Sequence, residues 1–265
     1  MAVTIGQKGA ILTEKRGKTL IITMNRPEKM NMLTEEDITT KARALLDFQE
    51  DPELLTCIIT GAGDRAFTTG EDMKFVAEAE KKGEDPYPHA PELHLADEPG
   101  RVTKPVLAAI NGWCVGHGIK TAFGCDIWIA SENAKFRHAE LRIGIMGGPT
   151  EAVLPRLIPP HLAMEFLLTG RDMTAQEAYR IGLVNRVVPL ADLMPTALAI
   201  ADEINQMPPL AVRKIKETIR KGMYLPLEEA TELGTIALQK LVETEDAVEG
   251  ASAFVEKRKP VWKNK

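Results

Sequence analysis

The chain has little that would tie it to a membrane, a secretory route or a nucleic acid. It carries three cysteines in 265 residues. Cys57, Cys114 and Cys125 are far apart, odd in number and form no C-x-x-C pair. That excludes a disulfide framework and points to reduced thiols, with all three read as small core residues. No apolar run reaches the length of a membrane span, so no membrane association is expected. The amino-terminal MAVTIGQKGAIL lacks a basic region followed by a long apolar core, so no signal peptide is expected, and cytoplasmic is the default location. Basic charge is not in excess: the net charge is −5, which argues against nucleic acid as the main partner. No metal-ligand spacing, repeat or low-complexity linker is present. Aromatic residues are only 5% of the chain, which says little about ligand shape.

What is present is an ordinary globular composition, long enough to bury a large core. Ala10–Lys15 and Thr19–Met24 read as strands, with Gly17 in the turn between them. Thr34 is the expected N-cap of a helix running to Glu50, with Asp37 at the capping-box position. Strands are expected at Leu55–Thr60, Val106–Ile110, Ile127–Ala130 and Lys135–Arg137, with Phe67–Met73 entering a loop and helix. The alternation implies a parallel sheet with helices outside. Such sheets place ligands at the carboxyl ends of their strands, where Thr60–Gly70 and Asn111–Gly118 lie. Beyond Thr150 the pattern is mainly helical: Ala175–Ile181, Leu193–Gln206, Leu210–Lys221, Leu227–Val242 and Asp246–Lys259. Lys81–Pro99, rich in charge, proline and histidine, reads as a loop or lid containing His89 and His94.

The most informative stretch is NGWCVGHGIKTAFGCD, Asn111–Asp126, with Glu140 beyond it. The strand at Val106–Ile110 runs into the turn Gly116-His117-Gly118, and a helix starts there. A helix start carries backbone N–H groups and a partial positive charge, and glycine lets a ligand approach closely. This is a way to hold a developing oxyanion, with Glu140 as the acid or base beside it. A carboxyl group in a partly apolar site is expected to titrate above its ordinary range. Lys120 complicates the pattern, because an ammonium group cannot accept a proton.

These segments resemble the enoyl-CoA hydratase/isomerase (crotonase) family. The resemblance covers nearly the whole chain, in order: NRPEKMNML (25–33), FTTGEDM (67–73), KPVLAAINGWCVGHG (104–118), CDIWIA (125–130), AKFRHAELRIGI (134–145), LTGRDMTAQEAYRIGLVNRVVP (168–189) and AFVEKRKP (253–260). The implied fold is α/β, a crotonase-like spiral of ββα units with a C-terminal helical trimerisation region. Residues 1–195 would form the core with the acyl-CoA site, and 196–265 the helical region for oligomerisation and CoA contacts. A homotrimer or dimer of trimers is expected. No cofactor is required, but the substrate carries coenzyme A. The oxyanion hole would use the backbone N–H groups of Glu71 and His117. The CoA moiety would meet Lys29, Met30 and Lys74, with Phe254 and Lys257 from a neighbouring C-terminal helix.

In the family, Glu140 aligns with a carboxylate that acts as acid/base, and Lys120 with the second glutamate of the hydratases. Both are taken as catalytic candidates. His117 stands where the family commonly has glycine; its N–H suffices for the oxyanion, and its side chain reads as steric filling or as a catalytic group. His138 and Glu151 are further candidates for a second acid/base, while Arg142 and Arg156 read as structural ion-pair partners. One carboxylate suffices to move a proton between carbons, so double-bond isomerisation of an enoyl-CoA is favoured. The alternatives are a hydratase or dehydratase with a substitute acid (Glu71, His117 or Glu151), a CoA-ester hydrolase, decarboxylase or C–C lyase using Lys120, and a non-catalytic binding protein. Some members of the family bind RNA, which the acidic balance does not favour.

Overall fold

The computed structural model describes residues 3–5, 10–83 and 99–265. His89, His94 and most of the expected lid lie outside the described residues. Two sheets organise the molecule. The larger has seven strands in the order β1 (Val3–Ile5), β2 (Ile11–Arg16), β3 (Thr19–Met24), β4 (Thr56–Gly61), β6 (Val106–Ile110), β8 (Ile127–Ser131) and β11 (Arg186–Val188). The smaller runs β10 (Asp172–Thr174), β9 (Lys135–Arg137), β7 (Trp113–Val115) and β5 (Ala66–Thr68).

The larger sheet is mixed, not parallel as the strand–helix alternation suggested. β1, β2 and β3 pair antiparallel, and from β3 to β11 the pairs are parallel. The reason is local: a two-residue turn, Gly17-Lys18, joins β2 to β3, and a connection that short permits only antiparallel pairing. α1 (Glu35–Glu50) then carries the chain back to start the parallel part. Its N-cap forms as the sequence predicts: Thr34 Oγ1 accepts the Asp37 N–H, and the Thr34 N–H donates to Asp37 Oδ2 at 2.7 Å.

β4 and β6 are buried along their whole length, and their side chains alternate between two cores. Ile58, Leu107, Ala109 and Ile129 face α7 (Leu190–Asn205), where Leu193, Ala197 and Ile200 complete the layer. Cys57, Ile59, Ala108 and Ile110 face the interior between the sheets, with Phe67, Cys114 and Phe136. The three cysteines are buried there, and burial pushes their thiols up, Cys125 to about 12. The remaining helices are α2 (Met73–Lys82), α3 (His117–Gly124), α4 (Pro149–Leu157), α5 (Pro160–Thr169), α6 (Ala175–Arg180), α8 (Pro209–Gly222), α9 (Leu227–Val242) and α10 (Glu245–Glu256). α7 begins at Leu190, before the expected Leu193, and α10 stops at Glu256 because Lys257 turns left-handed, φ 54°. Among the described residues no helix is long and apolar enough to cross a membrane.

Candidate active site

The chain does not pass straight from β6 into the glycine turn. A three-residue strand, β7, intervenes and joins the smaller sheet beside β5 and β9. β7 therefore delivers Gly116 and α3 next to the segment that follows β5 and next to the segment that follows β9. Those two segments carry Glu71 and Glu140.

Gly116 caps α3 with φ +55°, a conformation that favours glycine. A Cβ at Gly116 would lie 3.2 Å from Glu140 Oε1, so the carboxylate rests against the bare backbone of the turn. On the other side, Gly70 has φ +90°, and a Cβ there would lie 3.3 Å from the His117 nitrogen. Leu33 N–H donates to the Gly70 carbonyl at 2.8 Å, and Asp72 N–H donates to the Leu33 carbonyl at 2.9 Å. In this parallel bridge Leu33 pairs with Glu71, so the Glu71 amide points away from Leu33. The backbone segments named for the oxyanion hole are thus brought side by side. The Glu71 and His117 side chains also meet, Nδ1 to Oε1 at 2.8 Å, with the imidazole only 5% exposed.

Glu140 begins a 3-10 turn, Glu140–Ile143, directly after β9. His138 lies 3.1 Å from it, Nδ1 to Oε2, and Glu151 on α4 lies 3.1 Å from the other ring nitrogen. The Nδ1–Oε2 contact is poorly aligned for a hydrogen bond, so it acts chiefly as an ion pair. Glu151 Oε1 also accepts the Gly147 N–H at 2.7 Å. The contact with Glu140 raises the His138 pKa against the opposing effect of burial, and the charge of Glu151 adds to it. For Glu140, burial pushes the carboxyl up, but contact with His138, the charge of that ring and backbone donors at 139 and 140 more than offset it. Its pKa is therefore below the ordinary range, which corrects the sequence expectation of a raised value. The cation that lowers it is His138, whose approach depends on the tertiary fold.

Lys120 stands one turn beyond Gly116 in α3, on the same helical face, and its N–H donates to the Gly116 carbonyl at 3.3 Å. Among the CoA candidates, Met30 turns left-handed, φ 56°, and its carbonyl accepts the Thr69 N–H at 3.1 Å. That holds the Lys29–Met30 turn beside the strand leading to Glu71. Lys74 is exposed, on the first turn of α2. Phe254 is 86% exposed on α10, and Lys257 is that helix's exposed C-cap. Of Arg142 and Arg156, read as ion-pair partners, Arg142 donates to the Gly170 carbonyl at 3.0 Å and its charge helps to lower the Asp172 pKa, while Arg156 donates to the Ala152 carbonyl and lies over the Tyr224 ring.

A cavity of about 550 Å³ lies elsewhere, beneath α8, lined by Phe123, Trp128, Ile215, Ile219 and Tyr224. Its cationic groups, Lys216 and Arg220, are both committed to Asp126, which also lines it, at 2.8 Å. Size alone does not make it the reacting site, because the glycine turn and Glu140 are not among its lining residues. Among the described residues no group of His, Cys, Asp or Glu is placed to hold a metal ion.

The model of the enoyl-CoA hydratase/isomerase family matches residues 14–265. The chain belongs to the enoyl-CoA hydratase/isomerase family. It is 38% identical over 260 residues to a carnitinyl-CoA dehydratase of Salmonella typhi, covering 95% of this chain and 97% of that protein. An enoyl-CoA hydratase/isomerase structure from Mycobacterium paratuberculosis is 35% identical, with TM-score 0.87 over 98% of this chain and all of the other. An enoyl-CoA hydratase structure from Mycobacterium tuberculosis is 31% identical, with TM-score 0.88, covering 97% of this chain and all of that one. The crotonase fold and an acyl-CoA enzyme of this family are therefore established for the chain.

Proposed function

We propose that this enoyl-CoA hydratase/isomerase family member moves a proton within an enoyl-CoA thioester, with Glu140 as the proton carrier. The backbone amides of Glu71 and His117 would hold the thioester oxygen. Glu140 removes a proton, the electron pair passes through the conjugated system to the thioester oxygen, and the same carboxyl returns the proton to another carbon. Fixed N–H donors stabilise the enolate better than water that must reorganise. The observation that carries this reading is the Glu140 carboxylate lying against Gly116, where a Cβ would be 3.2 Å away. Its lowered pKa keeps it ionised near neutral pH, ready to act first as a base. Lys120, at the family's second-carboxylate position, supports isomerisation over water addition. Lys29, Met30 and Lys74 are proposed to meet the CoA, with Phe254 and Lys257 of a neighbouring copy in a trimer or pair of trimers.

Hydration or dehydration is the second reading. The name of the Salmonella typhi relative favours it, and the Glu71–His117 pair, 2.8 Å apart, offers a second titratable unit. The relative's substrate does not transfer directly: a quaternary ammonium group is best received by an aromatic cage, and Lys120 brings a cation to the face of α3 that carries Gly116, which fronts Glu140. The deciding experiment compares 3-enoyl-CoA isomerisation with crotonyl-CoA hydration by the same preparation. Isomerisation is expected to be faster. Faster hydration, lost in Glu71→Gln, overturns the order of the two readings.

A further inference from the structure

Glu140 is one end of a chain of three titratable groups, two half-buried carboxylates about a buried imidazole. The His138 side chain is 4% exposed and lies between Glu140 and Glu151, 3.1 Å from each. The three come from separate places: His138 follows β9, Glu140 opens the 3-10 turn, and Glu151 sits in the first turn of α4. The Gly147 N–H fixes Glu151 by bonding its Oε1, and a Cβ at Gly147 would lie 3.1 Å from His138 Cε1. Glu140 Oε2 and Glu151 Oε2 are buried without a hydrogen bond. A neutral imidazole has one N–H and can serve only one of two carboxylates; the imidazolium serves both. Buried carboxylates without a counter-charge are costly, so the arrangement selects the charged ring.

We infer that His138 and Glu151 are positioning residues for proton transfer at Glu140: the imidazolium holds Glu140 ionised and aimed at the glycine turn, and Glu151 keeps the ring charged once Glu140 is protonated. This rests on Glu140 being the proton carrier. When Glu140 takes the proton, the C–H bond breaks, its electron pair passes to the thioester oxygen, and Glu140 becomes neutral. His138 then retains Glu151 as counter-ion and releases no proton. Among the described residues, the neighbouring guanidinium groups have partners of their own. Arg137 binds Asp172, Nη2 to Oδ2 at 2.8 Å, and Arg142 binds the Gly170 carbonyl. On α3, Lys120 shares the face of Gly116, which fronts Glu140.

The test is the pH profile of kcat/KM for proton exchange in the wild type, His138→Gln and Glu151→Gln. The acid limb reports Glu140 and lies below the ordinary carboxylate range in the wild type. In His138→Gln it moves up, since burial is then opposed only by the backbone donors at 139 and 140, and rate at a fixed pH on that limb falls about tenfold for each pH unit of movement. In Glu151→Gln the basic limb, which reports loss of the imidazolium, moves down while KM stays the same. A purely structural role lowers kcat and leaves both limbs in place, which overturns the inference. Should His138→Gln fail to fold, the ring nitrogens of His138 followed by NMR decide it. A doubly protonated ring at neutral pH, lost earlier in Glu151→Gln, is expected; a neutral ring at neutral pH contradicts it. If Glu140→Gln still exchanges, the functional reading itself fails; if Glu140→Gln is dead but the ring is neutral, only this inference does.

Discussion

Two buried histidines, one within the glycine turn and one beside Glu140, are set to different tasks. His117 opens α3 and meets the carboxylate of Glu71. His138 meets two, Glu140 and Glu151. At the first pair the proposed chemistry belongs to backbone amides, which any residue in that backbone conformation supplies. At the second it belongs to side-chain atoms, which a single substitution removes. The difference teaches where the site is chemically brittle: on the side of Glu140, not on the side of His117.

Substitutions that break this contrast are ordered by size. Glu140→Gln removes the proton carrier and is expected to lower turnover by about 10²- to 10⁴-fold, with substrate binding retained, read by steady-state kinetics and direct binding. Gly116→Ala introduces a Cβ at positive φ against Glu140 Oε1. Displacing the carboxylate should reduce kcat by about 10²-fold, because small misplacements of reacting groups carry that penalty. His117→Ala keeps the backbone N–H and is expected to lower proton exchange by less than about tenfold, well short of a proton carrier's contribution. A loss there as large as that of Glu140→Gln would erase the contrast and favour the hydratase reading.

The smallest effect is on stability. The folded pKa of Glu140 is lowered, so its contribution is present above the ordinary value of 4.5 and lost as pH falls through the folded one. His138 is raised, so its contribution is complete below the ordinary 6.5 and lost as pH rises through the folded value. The Tm difference between wild type and His138→Gln should therefore be greatest between those two values. A difference that is flat with pH would show that the ion pair contributes nothing to folding.

Much of the scaffold was legible in the sequence because it depends on local signals. Thr34 and Asp37 announced the start of α1, and the apolar run Val106–Ile110 matched β6 residue for residue. β1, β5, β7, β10 and β11 were missed because three-residue strands carry little periodicity; β9, equally short, was the exception. The two sheets followed from neither run, since β7 joins β5 and β9 only through tertiary pairing. At the site, Glu140, Glu71 and His117 were found through the family motifs. His138 and Glu151 were noted only as possible acids. Their meeting on Glu140 depends on how the turn after β9 packs against α4, and no spacing rule encodes that contact.

Proton exchange at the α-carbon in heavy water tests the central claim most directly, because it reads the enolate whatever product the enzyme finally makes. With a saturated acyl-CoA, the wild type is expected to wash deuterium into the α-position, while Glu140→Gln binds the thioester and leaves that position untouched. Exchange by Glu140→Gln at the wild-type rate would contradict the account.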